Sequence, residues 1–331
     1  MAGRRQKKSG GRSYAWRYRG RIVACVFVEV IIICALVIMI GWNKGVKEWF
    51  EQFEQPVLKE VDISGINSPN AILMQARGGK ILGEINGEAQ IYPASMTKIM
   101  TVILGIENFD DLDEKITLTN EMFTGLYEQD ATQAGFQPGE EVRVIDLLYG
   151  AMLPSGAECC IALADTISGS EADFAELMNK KARKLGMENT HFCDSTGLHN
   201  PDHYSTVKDI AVLMKYCIKN DTFREIVETS RHSTGVTNIH PDGITYYSTM
   251  FKNLSDPTVT GGKILGGKTG YTSEAGHCLV SFAEIEGREY ILVSAGASGA
   301  DGNTIPHIQD AVTVYNRVGA AVEAKMNDNN K

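Results

Sequence analysis

The chain has 331 residues, 43% of them hydrophobic and 22% charged, which is enough to bury a sizeable core and excludes a disordered chain. Residues 1–21 hold eight Lys or Arg and no acid, so the net charge of −9 for the whole leaves −17 for the remainder. The two parts should face different surroundings, and no nucleic-acid partner is expected.

Ile22 to Trp42 reads IVACVFVEVIIICALVIMIGW. At about 1.5 Å per residue a helix of this length covers the roughly 30 Å hydrocarbon layer of a bilayer. One transmembrane helix over 22–42 is therefore expected, with the basic tail 1–21 in the cytoplasm and everything after Trp42 outside it. A cleaved signal peptide competes with this reading, but its apolar stretch is shorter, about 7 to 15 residues, and ends at a small-residue cleavage site not found here. The expectation is an uncleaved, single-pass anchor in the cell membrane. Glu29 within the span has no visible partner and reads as a tolerated residue near one interface.

Val46, Trp49, Phe50 and Phe53 recur at helical spacing, giving an amphipathic juxtamembrane segment that Pro56 ends within the stretch 43–68. A folded domain is expected over 69–331. It opens with a hairpin, Ala71 to Ala76 and Ile81 to Ile85, around Gly78-Gly79. Apolar spacing then predicts helices over Ser95 to Asn108, Ile145 to Met152, Gly156 to Ile167, Glu171 to Leu185 and Thr206 to Lys219. Strands return over Ile264 to Thr272, His277 to Ile285 and Glu289 to Ala295, before a last helix from Pro306 to Val322. This order is not the alternation of a parallel sheet. It predicts an α/β protein of the α+β type, with an antiparallel sheet flanked by helices and an inserted helical lobe. Seven cysteines, two in the span and an odd five beyond it, do not make a disulfide framework.

Three short motifs carry the chemistry. Ser95-Met96-Thr97-Lys98 matches S-x-x-K, Lys268-Thr269-Gly270 is K-T-G, and Ser155 lies between them in Pro154-Ser155-Gly156. Ser205 to Lys208 also fits S-x-x-K, but there Thr206 and Asp209 form a helix start. Ser95 and Lys98, three apart in a first helical turn, share a face. Burial and a nearby cation, for which Lys268 is the candidate, would lower the Lys98 pKa and let it accept the Ser95 proton. Ser155 would relay a proton. The glycines around Lys268 suit an edge strand that a peptide can extend. There Lys268 and Thr269 would meet a substrate carboxylate, and the amides of Ser95 and Tyr271 would form the oxyanion hole, with Gly270 allowing close approach. His199 and His203 are four apart, but Pro201 between them breaks the helix a metal pair would need, so no metal and no cofactor are expected.

With these motifs in order, the chain resembles the low-molecular-mass penicillin-binding proteins of the serine D-alanyl-D-alanine carboxypeptidase family over residues 70 to 320 or so. The runs Glu176 to Asn179, Lys184 to Thr190, Thr196 to His199 and His203 to Thr206 are similar to that family's helical lobe. The resemblance implies a penicillin-binding transpeptidase-like fold and an acyl-enzyme on Ser95. The implied partners are peptidoglycan stem peptides ending in D-Ala-D-Ala, with β-lactams as covalent inhibitors. In this family the second motif is Ser-x-Asn, and Ala157 stands where the Asn belongs. Two alternatives are a class A β-lactamase-like hydrolase, which needs a water-activating carboxylate such as Glu176, and a catalytically weak cell-wall peptide binding or sensing protein.

Overall fold

The structure is a computed structural model that describes residues 58–254, 256–299 and 305–329. The basic tail, the membrane span over 22–42 and nearly all of the amphipathic segment lie outside the described residues.

Six antiparallel strands form one sheet in the order β2-β1-β10-β9-β8-β7. Its first hairpin is β1 (Asn70–Gln75) and β2 (Ile81–Ile85), joined by a turn in which Gly78 and Gly79 both adopt positive φ. The chain then leaves the sheet for a long insertion. That insertion holds α1 (Lys98–Asn108), the small pair β3 (Lys115–Thr117) and β4 (Glu141–Arg143), and α2 (Val144–Met152). It continues with α3 (Ala157–Ser168), α4 (Glu171–Leu185), α5 (Val207–Cys217) and α6 (Asp221–Glu228). A second small pair, β5 (Arg231–Ser233) and β6 (Thr245–Tyr247), and the short α7 (Thr249–Asn253) complete it. The chain re-enters the sheet through β7 (Thr258–Val259), β8 (Gly262–Thr272), β9 (Gly276–Ile285) and β10 (Arg288–Ala297), and closes with α8 (Pro306–Asn329).

The sheet is buried on both faces, which is why its strands read as near-continuous apolar runs. Alternate residues serve opposite cores because side chains on a strand point to opposite faces. Ile72, Val280, Phe282, Ile291 and Val293 pack with the insertion's helices. Leu73, Leu279, Ala283, Ile285 and Leu292 pack with Val314, Tyr315 and Val318 of α8, a core that Leu58, Val61 and Ile63 also join. In β8, the pairings Lys268↔Val280 and Thr269↔Leu279 assign the two residues to different faces, Lys268 toward the lobe and Thr269 toward α8. Beyond Lys263, β8 has no strand on its outer side, since β7 pairs only with Gly262 and Lys263.

Within the described residues, the expected helices and long strands are present within a few residues, except that the last helix continues from Val322 to Asn329. Both small strand pairs, β7 and α7, two to five residues long, are too short to carry a periodic signal, while α6, with Phe223, Ile226 and Val227 at helical spacing behind the Asn220 cap, is a helix beyond those expected. The first catalytic-motif helix also differs. Ala94–Thr97 form a 3-10 turn, and α-helix begins only at Lys98. Tertiary contact sets that geometry: a Cβ on Gly197, which has φ +81°, would stand 2.5 Å from the Ala94 carbonyl carbon. Ala94 itself is held at φ +46°.

Candidate active site

α1 is the anchor of the site. Ile99, Met100, Val102, Ile103 and Leu104 are buried. Burial of side chains this size is worth about 1.5–3 kcal/mol each, so the turn that precedes them is fixed in place. Lys98 is carried into the protein at 3% exposure, where its Nζ donates to Ser95 Oγ (3.0 Å) and to the Thr196 carbonyl (2.7 Å). Burial pushes its pKa down, opposed by surrounding acidic groups that include Cys160, Asp194 and Glu158.

The Thr196 carbonyl is positioned by a polar loop. Asp194 Oδ1 accepts from the amides of Thr196 (2.7 Å) and Gly197 (2.6 Å) and from the Thr196 hydroxyl (2.8 Å). Its Oδ2 lies 3.2 Å from His203 Nδ1, and His203 Nε2 lies 2.9 Å from Thr97 Oγ1. Burial raises the Asp194 pKa, but His203 and the hydroxyl and amide donors outweigh it and hold the carboxyl at about 2. This chain ties Thr97, inside the S-x-x-K motif, to the loop that holds Lys98. His203 is therefore committed to Asp194 and Thr97, while His199 packs edge-on against Tyr92, so the two histidines do not converge.

Ser155 and Lys268 form the opposite wall. Lys268, 1% exposed, donates from Nζ to Ser155 Oγ (3.0 Å) and to the Thr269 carbonyl (2.9 Å). Its pKa lies well below the ordinary lysine value, from burial first and then from the charge of Lys98. Ser155 holds φ +73°, a strained conformation for a non-glycine residue that persists only where its surroundings fix it. Here Gly156 N donates to the Gly150 carbonyl and Ala157 N to the Thr132 carbonyl, each at 2.8 Å.

Ala157, 1% exposed, opens α3. Lys98 does not depend on an amide at that position, because the Thr196 carbonyl is its second partner. Glu176 is exposed on α4, does not line the cleft, and so offers no water-activating carboxylate. Asn179 is lobe packing, since its side chain bonds the amide and carbonyl of Phe192.

The walls enclose a cleft of about 550 Å³ lined by Ser95, Ser155, Thr269, Gly270 and Tyr271. Gly270 allows the close approach expected of it: a Cβ there would stand 3.0 Å from the Ser95 amide nitrogen and 3.2 Å from the Pro93 carbonyl oxygen. The Thr269 hydroxyl is 2.6 Å from that of Thr249 on α7. The structure thus brings together Ser95, Lys98, Ser155, Lys268, Thr269, Gly270 and Tyr271. Asp194, Thr196, Gly197, His203 and Thr249 support them without a chemical motif of their own. The D-S-T-G turn residues at 194–197 were the one local signal that could have marked that loop.

Comparison with known proteins identifies the family. Residues 57–299 match the peptidase S11 family model, described as D-alanyl-D-alanine carboxypeptidase. D-alanyl-D-alanine carboxypeptidase DacF of Bacillus subtilis is 35% identical over 233 residues, 69% of this chain and 57% of that one. DacC of Escherichia coli is 33% identical over 262 residues, 72% of this chain and 58% of that one, so the chain spans a little over half the length of these relatives. The crystal structure of the Streptomyces K15 DD-transpeptidase superposes with a TM-score of 0.67 at 28% identity, covering 80% of this chain and all of that one. By this match, over nearly three quarters of its length, the chain belongs to the D-alanyl-D-alanine carboxypeptidase family of serine peptidases.

Proposed function

We propose that the protein is a serine-type D-alanyl-D-alanine carboxypeptidase that trims peptidoglycan stem peptides and is acylated by β-lactams. The observation that carries this reading is the meeting of two buried pairs, Ser95 with Lys98 and Ser155 with Lys268, each at 3.0 Å, across one cleft.

In this mechanism Lys98 Nζ accepts the Ser95 proton and Oγ attacks the carbonyl carbon of the penultimate D-alanine. The amides of Ser95 and Tyr271 take the developing oxyanion. As the C–N bond breaks, Ser155 relays to the departing amine the proton that Lys98 took from Ser95, while Lys268 holds the Ser155 hydroxyl through its hydrogen bond. The net transfer runs from Ser95 to the amine. Water then hydrolyses the ester and frees Ser95. The peptide lies along β8 as an added strand, with Thr269 beside its terminal carboxylate.

We place the protein in the cell membrane through the helix expected over 22–42, with the N-terminus cytoplasmic and the peptidase domain outside. Protease added to wall-stripped cells should digest the domain and spare the tail.

The decisive experiment is mass mapping after reaction with a labelled penicillin, followed over time. A lasting adduct on Ser95, with release of D-alanine from a defined pentapeptide, is expected. An adduct on another serine overturns the assignment. Rapid turnover of the penicillin would favour a β-lactamase, and no adduct a binding protein.

A further inference from the structure

Glu158 is a fully buried carboxyl group that the mechanism above does not use. It is the second residue of α3 and follows Ser155 by three positions. Its Oε1 accepts from the amides of Ala134 (2.6 Å) and Gly135 (2.9 Å), while Oε2 has no hydrogen-bond partner among the described residues. Burial raises its pKa against the pull of those backbone donors. Taking a carboxyl group out of water with one oxygen unpaired is costly, so the contacts its other oxygen makes call for an explanation.

Both amides belong to segment 130–136, which precedes β4 without helix or strand of its own and places Asp130 and Thr132 on the cleft. The segment is pressed against the residue after Ser155: a Cβ on Gly156 would stand 2.7 Å from Ala134 Cβ and 2.9 Å from its amide nitrogen. Between these contacts the Thr132 carbonyl accepts from the Ala157 amide at 2.8 Å. Glu158 thus clamps the segment, and Thr132 passes that restraint back to the turn carrying Ser155. The turn needs it. Ser155 is held at φ +73°, where a side chain is strained, and its hydroxyl must stay within 3.0 Å of Lys268 Nζ. One of the two backbone bonds that fix this turn, from Ala157 to Thr132, exists only while segment 130–136 stays in place.

We propose that Glu158 is the positioning residue for Ser155: by binding the amides of Ala134 and Gly135 it fixes the Thr132 carbonyl, and with it the strained turn that aims the Ser155 hydroxyl at the departing amine. This rests on the peptidase reading and adds to it the group that keeps the proton relay in line. Glu158 touches neither the substrate nor the reacting atoms, and it takes up and releases no proton in the reaction. Only its Oε1 is needed, so an amide oxygen in the same place serves as well.

The test uses two leaving groups that differ in their need for a proton. An N-acylated D-Ala-D-Ala peptide expels an amine, which departs only as it is protonated. Its thioester analogue, with sulfur in place of that nitrogen, expels a thiolate that needs no proton near neutral pH. Glu158→Ala should lower the acylation rate constant for the peptide about tenfold or more and for the thioester less than about threefold. Ser155→Ala should shift the ratio of the two rates in the same direction, and adding Glu158→Ala to it should shift the ratio little further. Glu158→Gln, which keeps an oxygen for the two amides, should bring the ratio back to within about threefold of the wild type. Equal losses on both substrates, an unchanged ratio, or a Gln variant as impaired as the Ala variant overturns the proposal. If Glu158→Ala fails to fold, Glu158→Asp, whose carboxyl group falls one methylene short of the amides, is read by the same ratio, and an unchanged ratio there overturns it too. An enzyme that both substrates and penicillin acylate, with a ratio indifferent to residue 158, sinks this inference alone. An enzyme that none of the three acylates sinks the peptidase reading as well.

Discussion

The two walls of the cleft are built by different means. On the helical side, Ser95 and Lys98 depend on a buried polar chain from Thr97 through His203 and Asp194 to Thr196, with Gly197 pressed against Ala94. On the sheet side, Lys268, Thr269 and Gly270 are placed by the register of β8 against β9, ten backbone pairings interrupted once by a register shift between Ile264 and Gly266. The helical wall should therefore be sensitive to single side chains some distance from the chemistry, and the sheet wall tolerant of them. Nucleophile placement is specified residue by residue, and substrate alignment by the main chain.

The sharpest break is Ser95→Ala. It removes the attacking oxygen and should abolish adduct formation with labelled penicillin while leaving the thermal unfolding midpoint nearly unchanged. Gly197→Ala comes next. A Cβ at φ +81° would meet the Ala94 carbonyl carbon at 2.5 Å, so the turn carrying Ser95 must move. A displacement near 1 Å can cost about 100-fold, and acylation measured by stopped-flow should fall at least that far.

Asp194→Asn tests the polar chain through stability. The carboxyl is held at about 2 against a reference of 3.8, so its folded-state pKa is depressed. The stabilisation is then present above pH 4 and lost as pH falls from about 4 toward 2, and a shift of this size is on the order of 2 kcal/mol. The gap in unfolding free energy between wild type and variant should be full at pH 7 and close in that acidic window. A constant gap across the window would mean that His203 and the loop do not depend on the charge.

Thr249→Val is the smallest expected effect and the test of the sheet wall. It removes the 2.6 Å partner of the Thr269 hydroxyl. A neutral hydrogen bond is worth about 0.5–1.5 kcal/mol, so KM for a D-Ala-D-Ala peptide should rise roughly 2- to 13-fold with kcat little changed. A loss as large as that of Gly197→Ala would erase the contrast between the walls.

The residues that meet in the cleft were legible in the sequence because their motifs have fixed local spacing. Ser95 and Lys98 lie one helical turn apart, and Lys268-Thr269-Gly270 is a run on one strand. Long, periodic elements were legible too, down to the limits of α4 at Glu171 and Leu185. The supporting residues were not, since His203 reaches Thr97 across 106 residues and Thr249 reaches Thr269 across 20, spans that no spacing rule covers, and Asp194 matters only through the loop they hold. Ser95 itself was expected at a plain helix start. Its 3-10 turn follows from the pressure of Gly197, a neighbour that only the folded chain brings near.

The outer edge of β8 has a further consequence. A strand with no partner invites pairing with any extended chain, including another copy of the same sheet. Here helices crowd both faces beside that edge: a Cβ on Gly266 would collide with the Val227 carbonyl of α6, and one on Gly267 would stand 2.8 Å from Met250 Sδ on α7. Only the end from Thr269 to Thr272 opens on the cleft. The opening is about four residues long, enough for the tip of a peptide and too short to nucleate a second sheet. Flanked in this way, the exposed edge offers little length for pairing with a second copy of the sheet.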